Sequence, residues 1–231
     1  MRNFDFKAKA KALGWHVLLS LLISMALMAW MYFCLFPSFY FGMSGGWQGL
    51  GLVFGIDLVL GPLLTFLVFN PKKPRREKIG DFAVIGAVQL AALVYGMYMV
   101  YQAHPKMILF YPNSYSAVVP YQEWAENDAL RSIDTGNMVR LGNVPVAVQS
   151  RGADGSVSFV SLAQAGDQVA EADASSRRNI KDEDRLVLNQ LELQHGKVYV
   201  FSVVGKYRRA FIAVDKGFRV VGRFGEAVVN I

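Results

Sequence analysis

Three long apolar runs in the first hundred residues restrict what this chain can fold into. They are WHVLLSLLISMALMAWMYFCLF (15–36), WQGLGLVFGIDLVLGPLLTFLVF (47–69) and FAVIGAVQLAALVYGMYMVY (82–101). Each is long enough to cross a hydrocarbon core of roughly 30 Å as a helix rising about 1.5 Å per residue. Hydrophobic residues make up 53% of the 231-residue chain, and their concentration here points to membrane spans rather than one large water-soluble core. The first run follows a basic tail, as a signal peptide would. Its apolar stretch is too long for one and no small-x-small cleavage site follows, so it reads as a retained span.

Charge sets the orientation. The N-terminal tail carries Arg2, Lys7, Lys9 and Lys11, and the 70–81 loop carries Lys72, Lys73, Arg75, Arg76 and Lys78. The segment PSFYFGMSGG (37–46) carries no basic residue. The positive-inside rule predicts a cytoplasmic N-terminus and 70–81 loop, with the C-terminal half on the periplasmic side of a bacterial inner membrane. Trp30, Tyr32, Tyr40, Trp47, Tyr95, Tyr98 and Tyr101 gather toward the outer interface, as an aromatic belt does. Of the net charge of +6, residues 1–105 hold +5, from nine Lys/Arg against four acids. That excess flanks the apolar runs, where anionic lipid headgroups lie, and leaves the outer half without the basic footprint of a nucleic-acid binder. The expected partners therefore include membrane lipids and exclude nucleic acid.

Asp57 lies inside the second run, ten residues from Trp47, and Gln89 lies twelve residues from Tyr101 in the third. Both fall near the bilayer midplane. A carboxylate there costs on the order of 2.5–3.5 kcal/mol and is expected to face the bundle, with Gln89 as donor and Thr65 as a weaker one. A protonated Asp57 is the other way to meet that cost. A proton relay needs a chain of ionisable groups, and this bundle is read as offering one, so an interhelical clamp is the favoured role. Gly61-Pro62 is expected to loosen the second span one turn further on. Gly51/Gly55, Ala83/Ala87 and Ala92/Gly96, each spaced by four, mark faces where backbones approach closely. Cys34, the one cysteine, reads as a small packing residue and rules out an intramolecular disulfide.

Beyond Pro105, which ends the third helix, the pattern changes to short alternating segments. MILFY reads as a strand, YQEWAENDALR (121–131) as a short amphipathic helix, and VPVAVQ with SVSFVSL as a hairpin turning near Arg151–Gly155. Residues 163–185 read as a polar, mobile or helical surface segment. KVYVFSVV, KYRRAFIAV and GFRVVGRF form a three-strand meander with turns at Gly205-Lys206 and Asp215-Lys216-Gly217. The expected fold is thus a membrane α-helical bundle of three spans (1–103) followed by a small α+β extracytoplasmic domain (104–231).

Little in the sequence points to catalysis. His16, His104 and His195 have no neighbours at metal-ligand spacing, and no HExxH, CxxC, G-x-S-x-G or P-loop occurs. Asp182-Glu183-Asp184 has the acid-x-acid form of metal-dependent sugar transferases but sits in a charged, solvated stretch. His104 beside Pro105 reads as a juxtamembrane cap. No metal, cofactor or catalytic residue is expected.

GIDLVLGPLLTFLVFNPKK in the second span, VQLAALVYGMYMVYQAHPKMILFY across the third, and the basic three-span layout resemble the TfpX/TfpZ family of type IV pilin accessory proteins. The resemblance covers about residues 14–120 and is most specific at Asp57, Leu60, Gly61 and Pro62. It departs at His104-Pro105, where the family carries Arg-Pro, and at Ser114-Tyr115, where an Arg-aromatic pair is usual. Membership implies an inner-membrane protein that helps a major pilin assemble into pili, through contacts with pilin or the assembly machinery and without catalysis. The residues expected to form the polar clamp or the partner contact are Asp57, Gly61, Pro62, Thr65, Gln89, His104 and Pro105. The alternative is a membrane-bound enzyme that modifies pilin or envelope glycans, with Asp182 and Asp184 at its centre.

Overall fold

In the computed structural model, which describes residues 6–55, 59, 61–68, 73–111, 115–152 and 154–229, the first and third apolar runs are long helices. Helix α1 spans Phe6–Trp30 and continues as one π-helical stretch, Met31–Leu35, while α5 spans Arg75–Ala103. Segments of 23 and 29 residues within them are long and apolar enough to cross a membrane. Of the second run, the described residues include the helices α3 (Gly46–Phe54) and α4 (Gly61–Val68), and Gly55 and Val59 between them are π-helical. Pro62 is the second residue of α4. Cys34 is exposed rather than packed.

The chain divides into two units. One comprises Met1–Cys34 and Trp47–Tyr101, and the other comprises Leu35–Gly46 and Gln102–Ile231. The short segment between the first two apolar runs is therefore built into the C-terminal unit, not a bare loop. Phe36, Phe39, Tyr40, Phe41 and Met43 are buried there, and Tyr40 and Met43 lie in the short helix α2 (Tyr40–Met43). The Tyr40 hydroxyl donates to the Leu141 carbonyl at 2.7 Å, and the Met43 carbonyl accepts from Tyr207 N at 3.0 Å. Burial pushes the Tyr40 phenol well above its ordinary range.

The rest of this unit is a mixed sheet ordered β3-β4-β1-β2-β6-β7-β8, with β5 also on β4. Its strands are β1 Pro105–Phe110, β2 Ser116–Pro120, β3 Arg140–Leu141, β4 Val144–Arg151, β5 Val157–Ser161, β6 Tyr199–Val204, β7 Arg208–Val214 and β8 Val220–Val228. The β4–β5 hairpin and the β6–β7–β8 meander are antiparallel, as their alternation predicts. The pairs β1–β4 and β2–β6 are parallel. Along β1, Ile108 and Phe110 face the core that holds α2, while Met107 and Leu109 face the opposite layer with Trp124 and Leu130. A strand apolar on both sides is what a doubly covered sheet requires.

The covering helices are short. Residues 121–131 form two helices instead of one, α6 (Tyr121–Glu126) and α7 (Asp128–Arg131). Asn127 leaves the helical region and caps α7, accepting from Ala129 N at 3.0 Å and Leu130 N at 3.3 Å. The polar stretch expected at the surface becomes α8 (Asp167–Arg178), and it is partly buried because it covers the open edge of β6. Asp173 accepts from Val200 N at 2.7 Å and Ser176 Oγ accepts from Ser202 N at 2.9 Å, which satisfies edge groups that β2 is too short to reach. Helix α9 (Asp182–His195) packs Leu188 and Leu191 against Val200, Ala213 and Phe224.

The β7–β8 turn is held by one carboxylate. Asp215 accepts from the backbone N of Gly217 and Arg219 and from Arg219 Nε, all at 2.9 Å. The Arg219 backbone bond, ahead of the other contacts, lowers its pKa below the ordinary carboxylate value. A lowered folded pKa means its contribution is complete above the unfolded value and is lost as pH falls through the folded one. Amide resonances of Gly217 and Arg219 are expected to move only in that acid window and to stay fixed near neutrality.

Candidate functional site

Among the described residues, the helical unit assembles one polar cluster from side chains far apart in sequence. His16 of α1 bonds Thr65 Oγ1 of α4 through Nδ1 at 2.8 Å and Gln89 Nε2 of α5 through Nε2 at 3.3 Å. Each ring nitrogen has one side-chain hydrogen-bond partner, with the donor and acceptor roles set by the tautomer. One imidazole thus joins three helices. On α1 the polar stripe continues at Ser20 and Ser24, both buried, at the four-residue spacing that keeps side chains on one helix face. On α4 the buried face is Gly61, Pro62 and Thr65. A Cβ at Gly61 would land on the Gln89 amide and 2.7 Å from His16 Nε2, so the glycine makes room for the pair.

Of the residues singled out from sequence, Gly61, Pro62, Thr65 and Gln89 therefore belong to one neighbourhood. Asp57, with Leu60, lies outside the described residues. The partner of Thr65 and Gln89 is His16, which has no neighbour at metal-ligand spacing in the sequence. It is an ionisable group inside the described helical unit, where the sequence leads one to expect Asp57 alone. The signal was present, because an ionisable residue inside a span-length apolar run marks an interior polar site. His16→Leu is expected to lower the stability of the full chain in lipid nanodiscs by about 1–2 kcal/mol, the range of interhelical polar contacts in lipid. With Gln89→Leu added, the loss should fall short of the sum, since the two changes remove the same contact. A melting temperature unmoved by His16→Leu would show that the imidazole does not tie the helices.

His104 and Pro105 stand elsewhere, in the other unit. Pro105 opens β1, and the His104 ring stacks on Tyr121 with centroids 5.2 Å apart. Lys106 Nζ sits 4.5 Å from the centroid of the Trp124 ring. This shelf begins at the residues that follow α5, where an aromatic and cationic rim suits a lipid–water boundary.

The small-residue pairs divide. Gly96 packs inside the helical unit, since a Cβ there would meet Leu52 Cδ2 at 2.8 Å. Nothing described lies within 4 Å of a Cβ at Gly51 or Gly55, and Ala83 and Ala87 are exposed. Asp182, Glu183 and Asp184 form the first turn of α9, where the helix dipole favours acids. Among the described residues, no three His, Cys, Asp or Glu side chains are grouped to hold a metal.

A stretch of 110 residues is 41% identical to the Dichelobacter nodosus protein named fimbrial assembly protein, serogroups C1 and C2, and spans 84% of it and 48% of this chain. The chain belongs to the fimbrial assembly protein family. Two further family members from the same organism are longer. The serogroup E1 protein is 41% identical over 148 residues, covering 64% of this chain and 51% of the relative. The serogroup I protein is 42% identical over 110 residues, covering 48% of this chain and 43% of the relative. The chain spans about half the length of these two curated relatives. No family model matches it, and no solved structure matches it.

Proposed function

We propose that the protein is an inner-membrane accessory factor for type IV pilin assembly, of the TfpX/TfpZ kind, acting by binding rather than catalysis. The observation that carries this is the match across 84% of a relative named for fimbrial assembly. Topology is supported by the second unit. Residues 35–46 and 102–231 pack as one body, so they share one side of any membrane that α1, α3 and α5 enter. The basic residues of the tail and of the 70–81 loop put that side in the periplasm.

The mechanism follows from having two kinds of surface on one tether. Gly51 of α3, Gly55 just beyond it, and Ala83 and Ala87 of α5 leave small-residue faces open, where a single pilin helix can approach closely. The periplasmic sheet unit meets the head of the same pilin. Each contact is weak alone, and the tether raises the effective concentration of the second once the first is made. The protein needs neither metal nor cofactor for this role.

In the source bacterium, a strain lacking the protein is expected to make pilin of unchanged mass but fewer or shorter fibres. A changed pilin mass would favour the enzyme reading instead. A reporter fused at residue 150 is expected to be active only in the periplasm, and cytoplasmic activity there would overturn the topology.

A further inference from the structure

The second unit holds a polar cleft of about 550 Å³, within the size range of small-molecule sites. Its floor is one end of β6, β7 and β8, at Ser202, Arg209, Phe211 and Glu226. Helix α9 covers the rest of that face and stops at its first turn, leaving this end bare. Asn179 and Asp184 form one wall, and Tyr115, just before β2, forms the other. The floor is shaped by a bulge where the β7–β8 register shifts between Arg209 and Phe211. Gly225 takes φ +64° there, and a Cβ on it would meet Phe211 at 2.6 Å and Asp184 Oδ2 at 3.1 Å. Bulges of this kind re-aim a strand and recur beside binding sites.

The charges in the cleft are of two sorts. Glu226 is engaged by Arg223 at 2.7 Å and Arg208 at 3.5 Å, and Glu183 by Lys181 at 3.7 Å. Among the described residues, Asp184 and Arg209 have no ion-pair partner. Tyr115 is 52% exposed and lends a flat aromatic face. The site thus offers one acceptor carboxylate, one forked donor, an amide and an aromatic plane. A simple anion would meet three lining carboxylates, and an apolar ligand would strand the polar wall. A peptide strand would add at an open sheet edge such as that of β8, whereas the floor of the cleft is a face of the β6–β7–β8 ladder. A neutral polyhydroxylated ring matches both hydrogen-bonding signs and the aromatic face.

We propose that this cleft binds a neutral sugar residue, with Tyr115 beneath the ring and Asp184 and Arg209 bonding its hydroxyls. The inference goes beyond the assembly role and does not depend on it. The sugar is either free or a unit of a longer chain.

The full chain in lipid nanodiscs, prepared without sugar-headed detergent, is titrated with neutral hexoses, N-acetylhexosamines, their disaccharides and soluble neutral polysaccharides. Saturation-transfer NMR reads contact and calorimetry reads affinity. At least one of these is expected to bind; Asp184→Asn and Arg209→Gln should each weaken it about tenfold, the loss of one charge-assisted bond, and Tyr115→Ala up to about tenfold, the loss of the aromatic contact. Among the described residues neither Asp184 nor Arg209 has an ion-pair partner, so Arg209→Gln should keep the parent melting temperature and Asp184→Asn should lower it only slightly, through the loss of one acid from the first turn of α9. Equal affinity per unit for disaccharide and polymer indicates a single recognised residue, and preference for the polymer indicates a chain. Binding unaffected by all three substitutions, or no binding across the panel, would overturn the proposal. So would an unglycosylated pilin head domain that loses binding on these substitutions while sugars do not bind.

Discussion

Replacing Tyr40 by alanine is expected to destabilise the C-terminal unit by about 3–5 kcal/mol, the cost of deleting a large buried aromatic side chain. Tyr40 is 0% exposed and packs with Phe39, Ile108, Phe110 and Leu141 in the largest apolar cluster of that unit. The alanine variant should melt earlier and yield to protease within 35–46 and 102–231, with α1 and α5 still helical. Tyr40→Phe separates two contributions. It keeps the ring and leaves the Leu141 carbonyl without its 2.7 Å bond, so the expected loss is about 1–2 kcal/mol. Equal stability of all three proteins would show that the segment between α1 and α3 does not hold the sheet unit together.

That segment also shows where sequence stops being informative. FPSFYFGM carries the aromatic residues an interfacial belt uses, and the same side chains serve a protein core. Only contacts with residues about a hundred positions away, such as Tyr40 with Leu141, separate the two uses. The meander was legible because its apolar residues alternate and because Asp215 and Gly217 supply turn chemistry over a few residues. Strand order was not, since the parallel pairs β1–β4 and β2–β6 depend on crossovers that local pattern does not encode.

The polar cluster behaves the same way. Thr65 and Gln89 stood out as polar residues in apolar runs, but their partner His16 lies 49 and 73 positions away. Two long apolar helices were legible from length and composition. The sugar cleft left no motif, because its lining comes from three separate stretches: Tyr115, 175–184 and 202–227.

Removing Asp173 is expected to be the other large loss, because this one carboxylate serves three elements. It is 9% exposed, receives both carboxylate contacts from Arg177 Nε at 2.9 Å, and accepts from Val200 N at 2.7 Å. Arg177 in turn donates to Glu192 Oε1 at 2.8 Å and to the Val198 carbonyl at 2.7 Å, which ties α8 to α9 and to the edge of β6. Burial alone would lower the Arg177 pKa, but its bonds to Glu192 and Asp173 outweigh that and raise it. Asp173→Ala orphans a buried N–H and strips a guanidinium of one partner, for an expected cost of about 2–4 kcal/mol. Asp173→Asn keeps an oxygen for Val200 N but loses the charge and the Oδ2 acceptor of Arg177 Nε, so it should cost less than alanine. Asp173→Ala with Arg177→Met should cost less than the sum of the two single changes, because neither charge is then left alone. Hydrogen exchange over 199–204 is the discriminating measurement. The Val200 amide should exchange faster in Asp173→Ala and remain protected in Asp173→Asn, and equal protection in both would mean that α8 does not seal this edge of the sheet.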